Sequence, residues 1–309
     1  MARQFGATML GSIELFCLAA ELGSFTAAAT ACGLTPAAVS RAISRLEEKL
    51  GTRLFVRTTR RIRLSEGGEA YYRQCRQALG QLNEAERELT GQQSSPVGTV
   101  RLSLPTPFGH YRVLPLLPAF RARYPAVELE VQLSNRNIDF ASDDYDLAVR
   151  GRNPPDSGLV VRKLEEAELV VVASPDYLAR AGVPHSLADL PQHDCLQFVL
   201  PSSGQRVNWL FREQGHDIDL PTRGGICCSE DLLGGLTLAR HGGGLLQTCR
   251  FIVERDLAAG TLVEVMQDFG GRSRPFSLLY PRNRHMPLRV RVLIDFLLAE
   301  VGKVVAKSG

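Results

Sequence analysis

Residues Thr35 to Gly51, TPAAVSRAISRLEEKLG, specify one helix at both ends. Thr35 suits the N-cap, Pro36 suits the first helical position where its missing N–H is no loss, and Gly51 supplies the stop. Val39, Ile43, Leu46 and Leu50 recur at spacings of four, three and four, which makes one apolar stripe. The other flank carries Ala37, Ser40, Arg41, Ser44 and Arg45. Small residues let a backbone approach a surface closely, arginine reads guanine edges bidentately, and serine bonds to phosphate or base. Taken alone, the same helix reads better as an amphipathic core helix with a solvated face.

Its surroundings narrow the choice. Leu10, Ile13, Phe16 and Ala20 predict a first helix ended by Gly23, and Ser24 caps a second, FTAAATAC, broken by Gly33. Two short helices and a tight turn before a third make a helix-turn-helix pattern. After it, RLFVR and IRL flank TTRR, predicting a β-hairpin with a basic tip. No acid lies between Arg53 and Arg63, a stretch that also holds Arg57, Arg60 and Arg61.

Charge is partitioned in the same way. The chain has 309 residues and a formal net charge of +3; Met1 to Gln92 hold 12 Lys and Arg against 9 Asp and Glu, and the remainder holds 24 of each. A basic N-terminal module beside a neutral one predicts a polyanion partner for the first and something else for the second. The length calls for two or three cores. Seven scattered cysteines without CxxC or Cys/His spacing predict a reduced chain and no metal site. Glu14 and Glu21 interrupt the apolar N-terminal run, so no signal peptide is expected and a cytoplasmic location follows.

The stretch ELFCLAAELGSFTAAATACGLTPAAVSRAISRLEEKLGTRLFVRTTRRIRLSEGGEAYY resembles the N-terminal signature of the LysR-type transcriptional regulators over about sixty residues in register. The GSFTAAA, AVSRAI and LEEKLG elements carry that likeness. The resemblance implies a bacterial, non-enzymatic, DNA-binding regulator with a winged helix-turn-helix. Its candidate DNA-facing residues are Ser24, Thr26, Thr35, Pro36, Ala37, Ser40, Arg41, Ser44, Arg45, Arg53, Arg57, Arg60, Arg61 and Arg63. Many members carry Ser-Gln-Pro where this chain has Thr35-Pro36-Ala37, which keeps the cap and removes a glutamine contact.

Ser65 can cap a further helix running to about Gly91, with Gly67 and Gly68 weakening its first turn. Tyr71, Cys75, Ala78, Leu82, Ala85 and Leu89 then alternate spacings of four and three, a coiled-coil seam of three heptads. Pairing through it would present two recognition helices to two half-sites of a duplex; packing on its own domain is the other reading. The resemblance favours the dimer, and implies a tetramer as the working form and RNA polymerase as a further candidate partner.

From Gly98 the pattern changes to strands alternating with helices. TVRLSLP, VELEVQL, YDLAVRG and ELVVVASP read as strands, with helices at 108–124 and 175–181; EDLLGGLTLARHGGG, LLQT, LVEVM, FSLLY and a helix at 287–301 follow. The fold class is therefore α/β overall. Ligands of such folds sit beyond the carboxyl ends of strands. The candidate effector set is Thr106, Pro107, Phe108, Ser134, Asn135, Arg150, Phe198, Ser229, Glu230 and Gln247. Arg150 would hold an effector carboxylate or pair with Asp146 or another acid. GTVRLSLPTPFG, DYDLAVRGRNPPDSGL and VVVASPDYLARAGVP extend the LysR resemblance, which implies two Rossmann-like subdomains similar to periplasmic binding proteins. Other members usually have leucine-leucine-proline where this chain has Leu245-Leu246-Gln247.

The expected division is residues 1–64 winged helix-turn-helix, 65–92 linker helix, 93–97 hinge and 98–309 effector domain. Subdomain I takes 98–165 and 272–309, and subdomain II takes 166–271. The expected partners are promoter DNA, a small effector with organic anions as the candidate class, and a second copy of the chain; no cofactor or membrane is expected. HExxH, GxSxG and Walker loops are absent, which disfavours an enzyme. A solute receptor leaves the basic module unexplained, and a thiol sensor of the same family rests on the adjacent Cys227 and Cys228 alone.

Overall fold

A computed structural model describes residues 7–57, 62–89, 95–140, 143–151, 158–282 and 286–308. The chain separates into two compact units, Met1–Ser94 and Ser95–Gly309.

The first unit contains α1 (Ala7–Leu22), α2 (Phe25–Ala31), α3 (Pro36–Leu50), the antiparallel pair β1 (Phe55–Arg57) and β2 (Ile62–Leu64), and α4 (Glu66–Leu89). Ser24 and Thr35 are the N-caps of α2 and α3, and each side-chain oxygen accepts the backbone N–H three residues on at 3.2 Å. Gly51 ends α3 with a left-handed φ of 67°. The α3 stripe of Val39, Ile43 and Leu46 is buried with Phe16, Ala28 and Phe55 in one core.

That core takes up part of the expected dimer seam. Tyr71 packs 5.7 Å from Phe16 between ring centroids, and Cys75 is buried beside Cys17 in the same cluster. Both anchor α4 to its own unit, because Tyr71, Tyr72, Cys75 and Leu79 form the stripe that faces α1. Ala78 and Leu82 point outward, Leu82 with 48% of its surface exposed. The side chains of Ala85 and Leu89 lie outside the described residues.

Gly68 serves docking. A Cβ at Gly68 would overlap the carbonyl oxygen of Leu54, so the first turn of α4 reaches that backbone only with glycine there.

The second unit is built on a seven-stranded mixed sheet in the order β11 (Leu246–Cys249), β6 (Leu159–Ala173), β13 (Ser273–Pro281), β5 (Leu147–Arg150), β3 (Gly98–Leu104) and β4 (Val127–Leu133), with β12 (Val263–Val265) also on β6. Its first lobe holds β3 (Gly98–Leu104), α5 (Thr106–Phe108), a π-turn at Gly109–Val113, a 3₁₀ turn at Leu114–Leu116, α6 (Leu117–Arg123), β4 (Val127–Leu133) and β5 (Leu147–Arg150). β6 (Leu159–Ala173) leads into the second lobe. There follow α7 (Pro175–Ala181), β7 (Gln197–Val199), β8 (Trp209–Glu213), β9 (His216–Leu220), β10 (Cys227–Ser229), α8 (Leu233–Arg240), β11 (Leu246–Cys249), α9 (Arg250–Ala259) and β12 (Val263–Val265). β13 (Ser273–Pro281) returns and α10 (Leu288–Ser308) closes the unit.

β6 joins the lobes. Its first part pairs antiparallel with β13 from Leu159 to Glu168, and its last residues pair with β11 and β12. One hydrophobic cluster runs from Val100 and Phe108 of the first lobe to Leu236 and Val253 of the second. Among the described residues no single helix is long and apolar enough to cross a membrane.

Candidate nucleic-acid interface and ligand cleft

On α3, Ala37, Arg41 and Arg45 are exposed, and Ser40 and Ser44 are half-buried. Each arginine lies back along its own helix: Arg41 Nε donates to the Ala37 carbonyl at 3.3 Å, and Arg45 Nε to the Arg41 carbonyl at 3.4 Å. Neither forms an ion pair among the described residues. Their terminal nitrogens are thus presented on the flank opposite Val39, Ile43 and Leu46. Thr26 is exposed on α2, and Ser24 and Thr35 use an oxygen lone pair in capping, which leaves each hydroxyl hydrogen to donate.

In the hairpin, Val56 faces Arg63 and Arg57 faces Ile62. Arg63 is exposed. Arg60, Arg61 and the side chain of Arg57 lie outside the described residues. Arg53 differs from the expected free wing cation: although exposed, it donates to Glu47 at 3.0 Å. Glu47, on α3, was not among the expected site residues. The signal for it is present, since it stands eight residues after Val39 and one after Leu46, inside the buried stripe.

In the second unit the carboxyl-end loops bring together five expected residues. Asn135 Oδ1 accepts the Thr106 backbone N–H, and its Nδ2 donates to Thr106 Oγ1, both at 3.3 Å. The same Nδ2 donates to the Glu230 carbonyl at 2.5 Å, across from the first lobe to the second. Ser134 Oγ accepts the Arg136 N–H, and Ser229 immediately precedes Glu230. Arg136, which the sequence reading missed beside Asn135, pairs with Glu230 at 3.2 Å. Glu230 is held in the left-handed region at φ 65°. A non-glycine residue there is unusual and marks a constrained turn.

Other expected effector residues are placed elsewhere. Phe108 is fully buried and stacks on Phe276 at 4.5 Å, with Pro107 buried beside it; both are core, because α5 turns them under the sheet. Arg150 forms no ion pair or hydrogen bond with an acid among the described residues. Its guanidinium folds back along β5, donating to the carbonyls of Ser103 and Val149 and to Ser103 Oγ, while Asp146 accepts the Arg101 N–H. Burial pushes Arg150 down to about 10, and its Nε has no partner among the described residues. Phe198 is half-buried on β7 opposite Cys228. Gln247 accepts from and donates to the Leu210 backbone, both at 2.8 Å. It borders a cavity of about 250 Å³ on the second lobe, lined also by Glu168, Arg250, Glu264 and Met266.

These two units define a regulator class: a winged helix-turn-helix followed by a long helix, and a mixed α/β domain built on a seven-stranded sheet. The chain belongs to the LysR-type transcriptional regulators. Residues 10–69 match the family described as bacterial regulatory helix-turn-helix protein, lysR family, and residues 93–302 match the LysR substrate binding domain. An uncharacterized HTH-type transcriptional regulator of Haemophilus influenzae is 35% identical over 284 residues, spanning 91% of this chain and 96% of that protein. CrgA of Neisseria meningitidis serogroup C is 34% identical over 292 residues, spanning 94% and 96%. The solved structure of the Neisseria meningitidis CrgA is 31% identical with a TM-score of 0.60, covering 94% of this chain and 98% of that one. The full-length Vibrio cholerae virulence activator AphB is 29% identical with a TM-score of 0.59 over the same shares. These relatives are transcriptional regulators, and the family is not one of enzymes.

Proposed function

We propose that the chain binds promoter DNA as a homo-oligomer through α3 and the hairpin, and that a small effector seated at the strand ends of residues 98–309 sets its activity. The observation that carries the DNA reading is the pair Arg41 and Arg45, exposed one helical turn apart with no carboxylate partner among the described residues. Ser40 and Ser44 border them. Such a flank supports base and phosphate contacts in a major groove. The outward Ala78 and Leu82 of α4 support a two-fold partner further along that helix than Tyr71 and Cys75.

For the effector, subdomain I (98–165 and 272–309) contributes Thr106, Ser134 and Asn135, and subdomain II (166–271) contributes Ser229 and Glu230. The contact of Asn135 and Arg136 with Glu230 closes the two lobes at this point. A ligand that binds Thr106 and Asn135 competes with that contact and shifts the balance between closed and open arrangements. An organic anion suits Arg136 once Glu230 withdraws. The test is a gel-shift of the full chain on duplexes selected from a random library, combined with a thermal-shift screen of small carboxylates and aromatic metabolites. Absence of any selected duplex would overturn the DNA reading; absence of a stabilising compound would overturn the effector reading.

A further inference from the structure

The segment Arg53–Phe55 joins recognition helix, hairpin and long helix, and its backbone is held from two sides. On one side Glu47 Oε1 accepts the N–H groups of Leu54 at 2.8 Å and Phe55 at 3.2 Å, while Oε2 accepts from Arg53 at 3.0 Å. On the other, Ser65 Oγ donates to the Arg53 carbonyl at 2.6 Å and accepts the Gly68 N–H at 3.0 Å, and the Ser65 N–H donates to the Leu54 carbonyl. Glu47 is only 3% exposed on α3, the helix that carries Arg41 and Arg45.

A buried carboxylate that accepts two backbone N–H groups and a guanidinium makes charge-assisted bonds, about twice as strong as neutral ones. It fixes Leu54 and the first residue of β1 against the helix three residues before its last. Apolar packing alone leaves a two-strand hairpin of three residues a side poorly oriented, since isolated hairpins are marginal. We infer that Glu47 is a positioning residue for DNA binding: it sets the angle of β1 and β2 to α3, so that Arg63 of the hairpin and the α3 arginines meet one duplex together. This rests on the reading that α3 and the hairpin are the DNA interface. A role confined to stability would leave the number of phosphate contacts unchanged once the chain is folded.

The experiment compares the full chain with its Glu47→Gln and Glu47→Ala forms on a short duplex of mixed sequence, following affinity against salt, with hydrogen exchange of the Leu54 and Phe55 amides. The logarithmic salt slope is expected to become less steep by roughly one to two per protomer in Glu47→Ala, as hairpin phosphate contacts are lost. Glu47→Gln keeps an acceptor oxygen, so it restores part of that slope, and its Leu54 and Phe55 amides exchange about tenfold faster than in the parent, as the weaker neutral bonds require. Arg53→Gln leaves both amides at parental protection, because the carboxylate still holds them. Should Glu47→Ala fail to fold, Glu47→Gln decides: faster amides with a reduced slope support the inference, and parental slope in a folded Glu47 variant overturns it. Failure of the parent chain to bind the duplex would instead overturn the DNA reading itself.

Discussion

Arg112 and Glu165 form a two-bonded ion pair in the interior, Nε to Oε2 at 2.8 Å and Nη2 to Oε1 at 2.9 Å, with both side chains about 5% exposed. Arg112 lies in the π-turn of the first lobe, and Glu165 lies on the crossing strand β6. Phe251 of α9 in the second lobe covers the guanidinium at 4.6 Å from its ring centroid. Phe108, Phe276 and Phe251 pack around the same place. The ion pair and its ring contacts therefore join the first lobe, the crossing strand and α9, and the two arrangements proposed above would have their freedom at the Asn135–Glu230 side rather than at the crossing strands.

Removing one partner of this pair leaves a buried charge uncompensated. Glu165→Ala is expected to destabilise the second unit by about 3–5 kcal/mol, whereas Arg112→Met combined with Glu165→Leu recovers much of that loss. Trp209, the sole tryptophan and a buried residue of β8, reports this unit's urea unfolding by its fluorescence. Equal destabilisation in the single and double variants would refute the charge argument.

Arg45→Ala removes a guanidinium that has no acid to leave behind, so the fold should keep its melting temperature within a degree or so of the parent. Binding to a selected duplex should weaken by about 1–3 kcal/mol at fixed salt, with relaxed preference at one base position. Unchanged affinity in the gel-shift would remove Arg45 from the interface.

The thiols separate into two groups. Burial pushes Cys17, Cys195 and Cys249 up to about 12, while Cys32 and Cys227 are exposed. At mildly alkaline pH a thiol reagent should label Cys32 and Cys227 of the native chain first and reach the four buried thiols, Cys17, Cys75, Cys195 and Cys249, only on unfolding. Fast native labelling at Cys17, Cys195 or Cys249 would contradict the structure and revive a redox reading.

Asp256 is buried at the end of α9, and hydrogen bonds from Arg240 hold its carboxyl below the usual aspartate range against its desolvation. A depressed carboxylate contributes stability above its unfolded value, and that contribution disappears as pH falls through the folded one. Asp256→Asn should therefore lower stability near neutrality and flatten the acid limb of the stability curve. An acid limb as steep as the parent's in Trp209-monitored unfolding would show that another group carries it.

What the sequence made legible follows from how local each signal is. Caps, stops and apolar spacing placed α1 to α4, because Ser24, Thr35, Pro36 and Gly51 act on their own helix. The first part of β6 escaped because Arg162, Lys163, Glu165 and Glu166 break the apolar run, and their acceptance there depends on β13. The β8–β9 hairpin and α9 were likewise missed. A period of four and three put Tyr71 and Cys75 in a dimer seam, yet that period cannot say which partner a stripe faces. Phe108 and Arg150 failed as cleft residues for a related reason: position at a strand end is visible in sequence, and side-chain direction is not. Asn135 and Glu230 lie far apart in the chain, and only the fold joins them.

Gly68 offers a test of the docking that carries the long helix. Residue 68 sits in the first turn of α4, where intrinsic propensity favours alanine over glycine by about 1 kcal/mol. Propensity alone therefore predicts that Gly68→Ala stabilises the first unit. Packing predicts the reverse, since the new Cβ would overlap the Leu54 carbonyl oxygen, which also accepts the Ser65 N–H. Backbone cannot swing aside as a side chain can, and forced overlap of this kind typically costs about 1–3 kcal/mol or more. The expected outcome is a lower melting transition for the first unit, followed by far-ultraviolet circular dichroism, while Trp209-monitored unfolding of the second unit stays at the parental midpoint. Gly80→Ala, further along α4 where nothing crowds a Cβ, should raise the same transition. If both substitutions stabilise, the first turn of α4 does not rest on Leu54, and the direction in which the long helix leaves the DNA-binding unit is set by something else.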